Sequence, residues 1–272
     1  MRHDAEKKQI QLSNGTESDQ ITILNVLNTR DDLYMKGKGS QFYGYCKRHY
    51  INTPTINIIS DLRKNISREL KSIGFGDPND LNSWYNRNGQ KQNTPYLQAA
   101  IAAGLYPNIA SRQKGEMNFL TLSNQKAKIH LSSVNSCKAQ PLSKKAQMLE
   151  YVAYGELVKG ITSYTLNQTT HLVSAVPLLL LCGNFRIRPA YVHGQDVEHI
   201  AVVSTDEGVI CQCDKDAAFA LAVLRRRLDS IVMHIVSNPT DGMKSLDDIE
   251  WRALSTVDAV IKSAFQSSPG RM

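Results

Sequence analysis

Apolar residues recur along this chain in three rhythms: helical, alternating and unbroken. Residues 1–17 are polar and contain Asn14-Gly15, a turn signal. Ser18-Asp19 then precede Ile21, Ile23, Leu24, Val26 and Leu27. A small polar residue before an apolar run predicts a capped helix start, because its side chain satisfies an orphan N–H of the first turn. Gly37-Lys38-Gly39 breaks this helix, and Phe42, Tyr45, Cys46 and His49 resume at helical spacing. Thr53-Pro54 predicts the next start, since proline is tolerated in a first turn, where no intrahelical bond is lost. Beyond it Ile56, Ile59, Leu62, Ile66, Leu70 and Ile73 step by three or four, which predicts one apolar helix face with Arg63, Lys64 and Arg68 off it. Gly74 is placed to end that helix. Residues 76–93 are rich in Asn, Gly and Asp and predict a linker. Thr94-Pro95 predicts a short helix through Tyr96, Leu97, Ala100 and Ile101, ending at Gly104.

From Leu105 to Pro189 the rhythm changes to short alternating segments. Met117 to Leu122 and Lys126 to Leu131 alternate, and longer stretches run from Tyr151 to Val158 and through Ile161, Tyr164 and Leu166. The unbroken run from Val176 to Cys182 predicts a closing strand. Four to six short strands with polar loops suggest a small barrel or sandwich. Further on, Ile200–Val203 and Val209–Cys213 flank the turn Asp206-Glu207-Gly208 and predict a strand pair. Leu221, Leu224, Leu228, Ile231 and Ile235 predict an amphipathic helix, with Arg225-Arg226-Arg227 on its flank and an end near Asn238-Pro239. The remainder is polar, with Trp251, Leu254 and Val257 enough for one further helical turn. The fold class is α+β.

Composition narrows the functional classes. The longest apolar run, Leu172 to Cys182, is 11 residues and contains Ser174 and Pro177. A bilayer span needs about 20 residues, so no membrane partner is expected. The polar start Met1-Arg2-His3-Asp4 lacks the apolar core of a secretory signal. Cys46, Cys137, Cys182, Cys211 and Cys213 are scattered and odd in number, which speaks against a disulfide framework and for an intracellular chain. The cytoplasm and the nucleus are the expected compartments, and the mitochondrion is left open. Cys211-x-Cys213 with His193 and His199 is spaced too tightly for a zinc knuckle, so no metal is expected.

The formal charge of +7 is unevenly spread. Residues 88–190 hold 11 basic and 3 acidic residues, whereas residues 191–272 hold 8 basic and 12 acidic. A local basic excess is the footprint of a phosphate-backbone partner. The chain has no GxxxxGK[ST] loop, no glycine-rich dinucleotide turn, no G-x-S-x-G elbow and no HExxH. Its seven histidines show no metal spacing, and nothing selects a catalytic set.

Several blocks, in order, resemble the C-terminal region of the DEAH-box/RNA helicase A-like family of ATP-dependent RNA helicases. Ser18-Asp19-Gln20-Ile21-Thr22-Ile23-Leu24-Asn25-Val26 is similar to the "Ser-Asp-His, apolar, Leu-Asn-Val" helix of that family's helical bundle. Phe42 to Tyr50 and Ile59-Ser60-Asp61-Leu62-Arg63 resemble the helices that follow it. Ala102 to Ala110 resembles the lead-in to its oligonucleotide-binding (OB) fold, and Ile129 to Asn135 its "His-Pro-Ser-Ser-Val-Asn" loop. Tyr151 to Gly183 is similar to the strands that end in "Leu-Leu-Leu-Phe-Gly", and Ile200 to Pro239 to the closing extension. Leu131 stands where the family has proline, Gln20 where it has histidine, and Cys182 where it has an aromatic residue.

The resemblance implies a partial helical bundle over residues 1–75, a linker and short helix over 76–104, and an OB-like barrel over 105–190. A C-terminal extension over 191–239, a strand pair plus helix, completes it, and the polar pattern beyond leaves a tail over 240–272 outside the resemblance. It also implies that the two ATPase domains, the winged helix and the start of the bundle are missing, so that the chain is a C-terminal piece. ATP and Mg would belong to the missing core, and no cofactor belongs to this chain.

The implied function is an accessory region that guides single-stranded RNA at the channel exit while the core hydrolyses ATP. The implied partners are single-stranded RNA (structured RNA or DNA as variants), the helicase core in cis, and a protein activator. Lys126, Lys128 and His130 share one strand face, and Ser132, Ser133 and Asn135 can donate to phosphate or 2′-OH groups. Ser133 and Asn135 are equally suited to tying a turn. Lys144, Lys145 and Tyr164 are secondary candidates, Tyr164 by base stacking or as core. The alternative is a protein-interaction scaffold or adaptor, its OB surface docking a helicase activator, without catalysis of its own.

Overall fold

In the computed structural model, residues 2–75, 90–112, 116–136, 150–172, 174–192, 195–205 and 209–266 are described. Four helices come first: α1 (Arg2–Ser13), α2 (Asp19–Met35), α3 (Gln41–Arg48) and α4 (Thr53–Ser72). Ser18 caps α2, its Oγ accepting from the Ile21 N–H at 3.1 Å. At α4 the cap is Asn52, one residue before the expected Thr53, with Thr53-Pro54 inside the first turn. The polar start, which carried no helix expectation, forms α1 and ends at Asn14 and Gly15, both at positive φ. Val26, Leu27, Phe42, Cys46 and Ile56 make the core of this bundle. Only the first part of the α4 apolar face enters it. Leu62 and Ile66 are 54% and 60% exposed.

Helix α5 (Gln90–Leu105) begins a turn earlier than Thr94-Pro95 suggested, so Pro95 lies inside it, where it cannot donate to the carbonyl four residues back. It leads into β1 (Ile109–Arg112), β2 (Phe119–Thr121), β3 (Lys126–Ile129), β4 (Glu150–Lys159) and β5 (Tyr164–Leu172). These strands close a barrel in the order β1-β2-β3-β5-β4, all antiparallel except the parallel β3–β5 pair. Ala110, Phe119, Ala127, Val152, Tyr154 and Leu166 fill it, the alternate residues of each strand facing in. Gln168 sits at φ +53° opposite Gly155, where an added Cβ would lie 2.5 Å from the Gln168 side chain.

The run expected to close the barrel as a strand is instead α6 (Val176–Leu181), with Pro177 in its first turn. Three of its four successive leucines enter three different cores. Leu178 packs with Ile109 and Leu172, Leu179 with Val203 and Ala218, and Leu180 with Leu228, Val257 and Ile261. A helix buried on all sides has no apolar stripe, and so no 3.6-residue signal.

A second sheet follows, with β6 (Phe185–Val192), β7 (Gln195–Thr205) and β8 (Ile210–Asp214) in that order. The expected strand pair therefore has a third member, and residues 185–190, assigned to the barrel from sequence, belong to this sheet. Helix α7 (Lys215–Ser237) covers it, capped by Asp214 and ended at Asn238. The expected polar tail contains a 19-residue helix, α8 (Asp248–Gln266). Leu254, Val257 and Ile261 give it a stripe against α6 and α7, more than one turn's worth of burial. No helix among the described residues is long and apolar enough to cross a membrane.

Candidate nucleic-acid interface

Strand β3 carries the candidate row. Ala127 points into the barrel, so Lys126 and Lys128 point out, and both are exposed. Two strand residues rise about 6.6 Å, so the row presents evenly spaced cations. Leu120 of β2 lies beside Lys126, and Thr165 of β5 beside Lys128. Neither lysine has an ion-pair partner among the described residues.

His130 continues the row, its backbone N–H donating to the Leu166 carbonyl at 3.0 Å. Its ring is oriented by the next turn. The Ser132 N–H donates to His130 Nδ1 at 3.2 Å, and Ser132 Oγ lies 2.7 Å from the same nitrogen. Nδ1 is therefore the acceptor, and in the neutral ring Nε2 carries the hydrogen and can donate outward. The Ser132 carbonyl is held from the bundle side by Gln9 Nε2 at 2.6 Å.

Ser133 and Asn135 turn the other way. Ser133 is buried, with Oγ 2.8 Å from Thr169 Oγ1. Asn135 Nδ2 donates to the Glu17 carbonyl at 2.9 Å and to Thr169 O and Oγ1 at 3.2 and 3.0 Å. These two residues tie the turn. Tyr164 pairs with Ala127, belongs to the inward-facing set, and is half-buried against the barrel core, away from the lysine face. Lys144 and Lys145 lie outside the described residues. Arg225, on the flank of α7, holds the carbonyls of Leu179 and Gly183 at 3.2 and 3.1 Å, while Arg226 and Arg227 are exposed.

The residues missed by the sequence reading lie behind this loop. Asp19, first residue of α2, is buried and holds the backbone of the turn and of β5 at once. Its Oδ1 accepts from the Val134 N–H at 2.9 Å and its Oδ2 from the Thr169 N–H at 2.8 Å. Thr170 Oγ1 donates to Gln20 Oε1 at 2.6 Å, leaving the Ser18 hydroxyl to donate to Thr170 Oγ1 at 2.6 Å. Gln20 Nε2 donates to the Gln168 carbonyl at 2.7 Å. The start of α2 is thus stitched to β5 and to the candidate loop. The capping signal at Ser18 was visible in the sequence, but its second duty, across 152 residues, was not.

Residues 97–185, from α5 to the first residue of β6, match the model of an oligonucleotide/oligosaccharide-binding (OB)-fold family. The mouse ATP-dependent DNA/RNA helicase DHX36 is 25% identical over 278 aligned positions, covering 98% of this chain. The mouse ATP-dependent RNA helicase DHX29 is 25% identical over 84% of it, and the Arabidopsis thaliana DExH-box ATP-dependent RNA helicase DExH1 26% identical over 67%. The chain is homologous to the C-terminal region of DEAH-box RNA helicases. It spans 25%, 16% and 17% of the length of these three relatives.

Two departures from the DEAH-box pattern have structural consequences. Gln20, in the histidine position, is bonded on both its amide atoms to β5. Cys182, in the aromatic position, is buried at the end of α6, and that burial pushes its thiol up to about 11 against a weaker opposing pull from Arg225. Burial likewise raises the phenol pKa of Tyr151, packed beside Cys211. Among the described residues no three His, Cys, Asp or Glu side chains are placed to share a metal ion.

Proposed function

We propose that this chain is the RNA-binding accessory region of an ATP-dependent DEAH-box helicase, and that a single strand runs along the outer face of β3. The observation that supports this best is the exposed row of Lys126, Lys128 and His130 continuing into Ser132, on a barrel whose segment carries the chain's basic excess. The lysines meet phosphates, His130 Nε2 donates to phosphate or 2′-OH groups, and the Ser132 hydroxyl, whose hydrogen goes to His130 Nδ1, accepts from a 2′-OH. Ser133 and Asn135 support the turn instead of touching RNA. Without a GxxxxGK[ST] loop, nothing in this chain would hold ATP or its magnesium, so nucleotide hydrolysis would fall to helicase core domains in cis.

The test is fluorescence anisotropy of the whole chain with a labelled single-stranded RNA over a range of salt. Lys126→Ala with Lys128→Ala should weaken binding and lower the slope of log K against log salt by about 1.4, at about 0.7 per single-strand phosphate contact. Unchanged affinity and slope would overturn the assignment. The second reading, a protein-interaction scaffold, is favoured by the exposed apolar residues Leu62, Ile66 and Leu70 of α4 and Ile73 just after it. Its signature is the absence of RNA affinity together with salt-insensitive binding to a helicase core or activator protein.

A further inference from the structure

Where the β3 row ends, the surface folds into a cleft. Its walls are helix α1 on one side and the turn after His130 on the other, and it opens to solvent between them. Ile10 of α1 and Leu131 of the turn both line it, 40% and 46% exposed, and buried Val134 forms part of its floor. Single exposed apolar residues are ordinary on protein surfaces. Here two of them, from elements more than 100 residues apart, face the same opening. His3, Lys7 and Ile10 are spaced i, i+4, i+7, so they share one face of α1, and both basic residues line the cleft and are exposed. Glu6, the one carboxylate in the lining, is half-buried.

An apolar slot with an exposed lysine beside it suits one chemical object well: a flat nucleobase whose neighbouring phosphate lies at the rim. The base packs its face against aliphatic side chains while the backbone stays with the charges. The geometry points to the α1–turn cleft as a subsite for one base of a single-stranded RNA, reached directly from the Lys126–Lys128–His130 row. This rests on the RNA-binding reading given above and extends the strand's path from the barrel onto the helical bundle. Gln9, which holds the Ser132 carbonyl at 2.6 Å, fixes the two walls relative to one another, so the slot is set before the strand arrives.

The inference is tested on the whole chain with a single-stranded RNA and with the same strand carrying abasic nucleotides. Ile10→Ser with Leu131→Ser changes only partly exposed side chains, and an unchanged urea midpoint checks the fold. This pair should weaken binding of the normal strand severalfold, because the base loses the apolar surface it covers, without changing the salt slope. It should leave binding of the abasic strand as it is. Lys7→Ala should do the reverse, lowering the slope by about 0.7. The inference is overturned if the serine pair binds normal RNA like the wild type, or weakens normal and abasic strands equally. If the serine pair is neutral while Lys126→Ala/Lys128→Ala still lowers the slope, the β3 row stands and the cleft falls. If the wild-type chain binds neither strand, both fall.

Discussion

Two seams hold this molecule together, and they are built from opposite chemistry. The seam between α2 and the barrel is polar: Ser18, Asp19 and Gln20 meet the backbone and hydroxyls of Gln168, Thr169 and Thr170, with Ser133 and Asn135 closing the turn. The seam among α6, α7 and α8 is apolar, made by Leu180, Leu228, Val257 and Ile261. Apolar contact is non-directional and scales with area, so the second seam supplies cohesion. Hydrogen bonds contribute less in net terms, but they are directional and costly to leave unmade. The first seam therefore sets one register between bundle and barrel and holds the candidate loop in one shape.

That contrast can be broken from either side. The largest effect should come from Leu180→Ala, which opens a cavity where three helices meet. A loss of about 2–5 kcal/mol in urea unfolding is expected, with amides throughout α7 and α8 losing hydrogen-exchange protection. A loss under about 1 kcal/mol would mean that the apolar seam carries little of the cohesion.

Asp19→Asn should cost less, about 1–3 kcal/mol, because an amide turns a donor toward one of the two N–H groups the carboxylate now satisfies. Its mark should be local: faster exchange at the Val134 and Thr169 amides, with α7 and α8 unaffected. Equal loosening of both regions would erase the distinction between the seams.

The smallest effect concerns Cys182, at the edge of the apolar seam. Burial raises its pKa in the folded state from 9.0 to about 11, so the folded chain favours the neutral thiol. The stabilisation is complete below pH 9.0 and is lost as the pH rises through about 11. Wild-type urea midpoints should fall more steeply over that window than those of Cys182→Ala. Parallel pH curves for the two proteins would contradict the burial argument.

How much of this was legible beforehand follows from the range of each cause. The α2 start, the α7 stripe and the alternation of β3 depend on neighbours within a few residues, so spacing predicts them. The outward row of Lys126 and Lys128 follows from the same alternation, and half of the candidate site was therefore readable. Helix α6 was misread because a six-residue apolar run fits a buried strand as well as a helix buried on every side. Helix α8 was reduced to one turn because its polar positions outnumber its stripe. The inward duty of Ser133 and Asn135, and the grip of Asp19 on residues 115 and 150 positions away, leave no local trace.

By itself, then, the sequence determined the helices whose caps and stripes are local, the barrel's alternation, the basic middle segment and the homology. Tertiary structure alone decided which polar residues of the loop face solvent and which face Thr169, and that α1 and Leu131 share a cleft. The physical reason is that periodicity fixes which face of an element a side chain occupies, whereas only packing decides what that face meets.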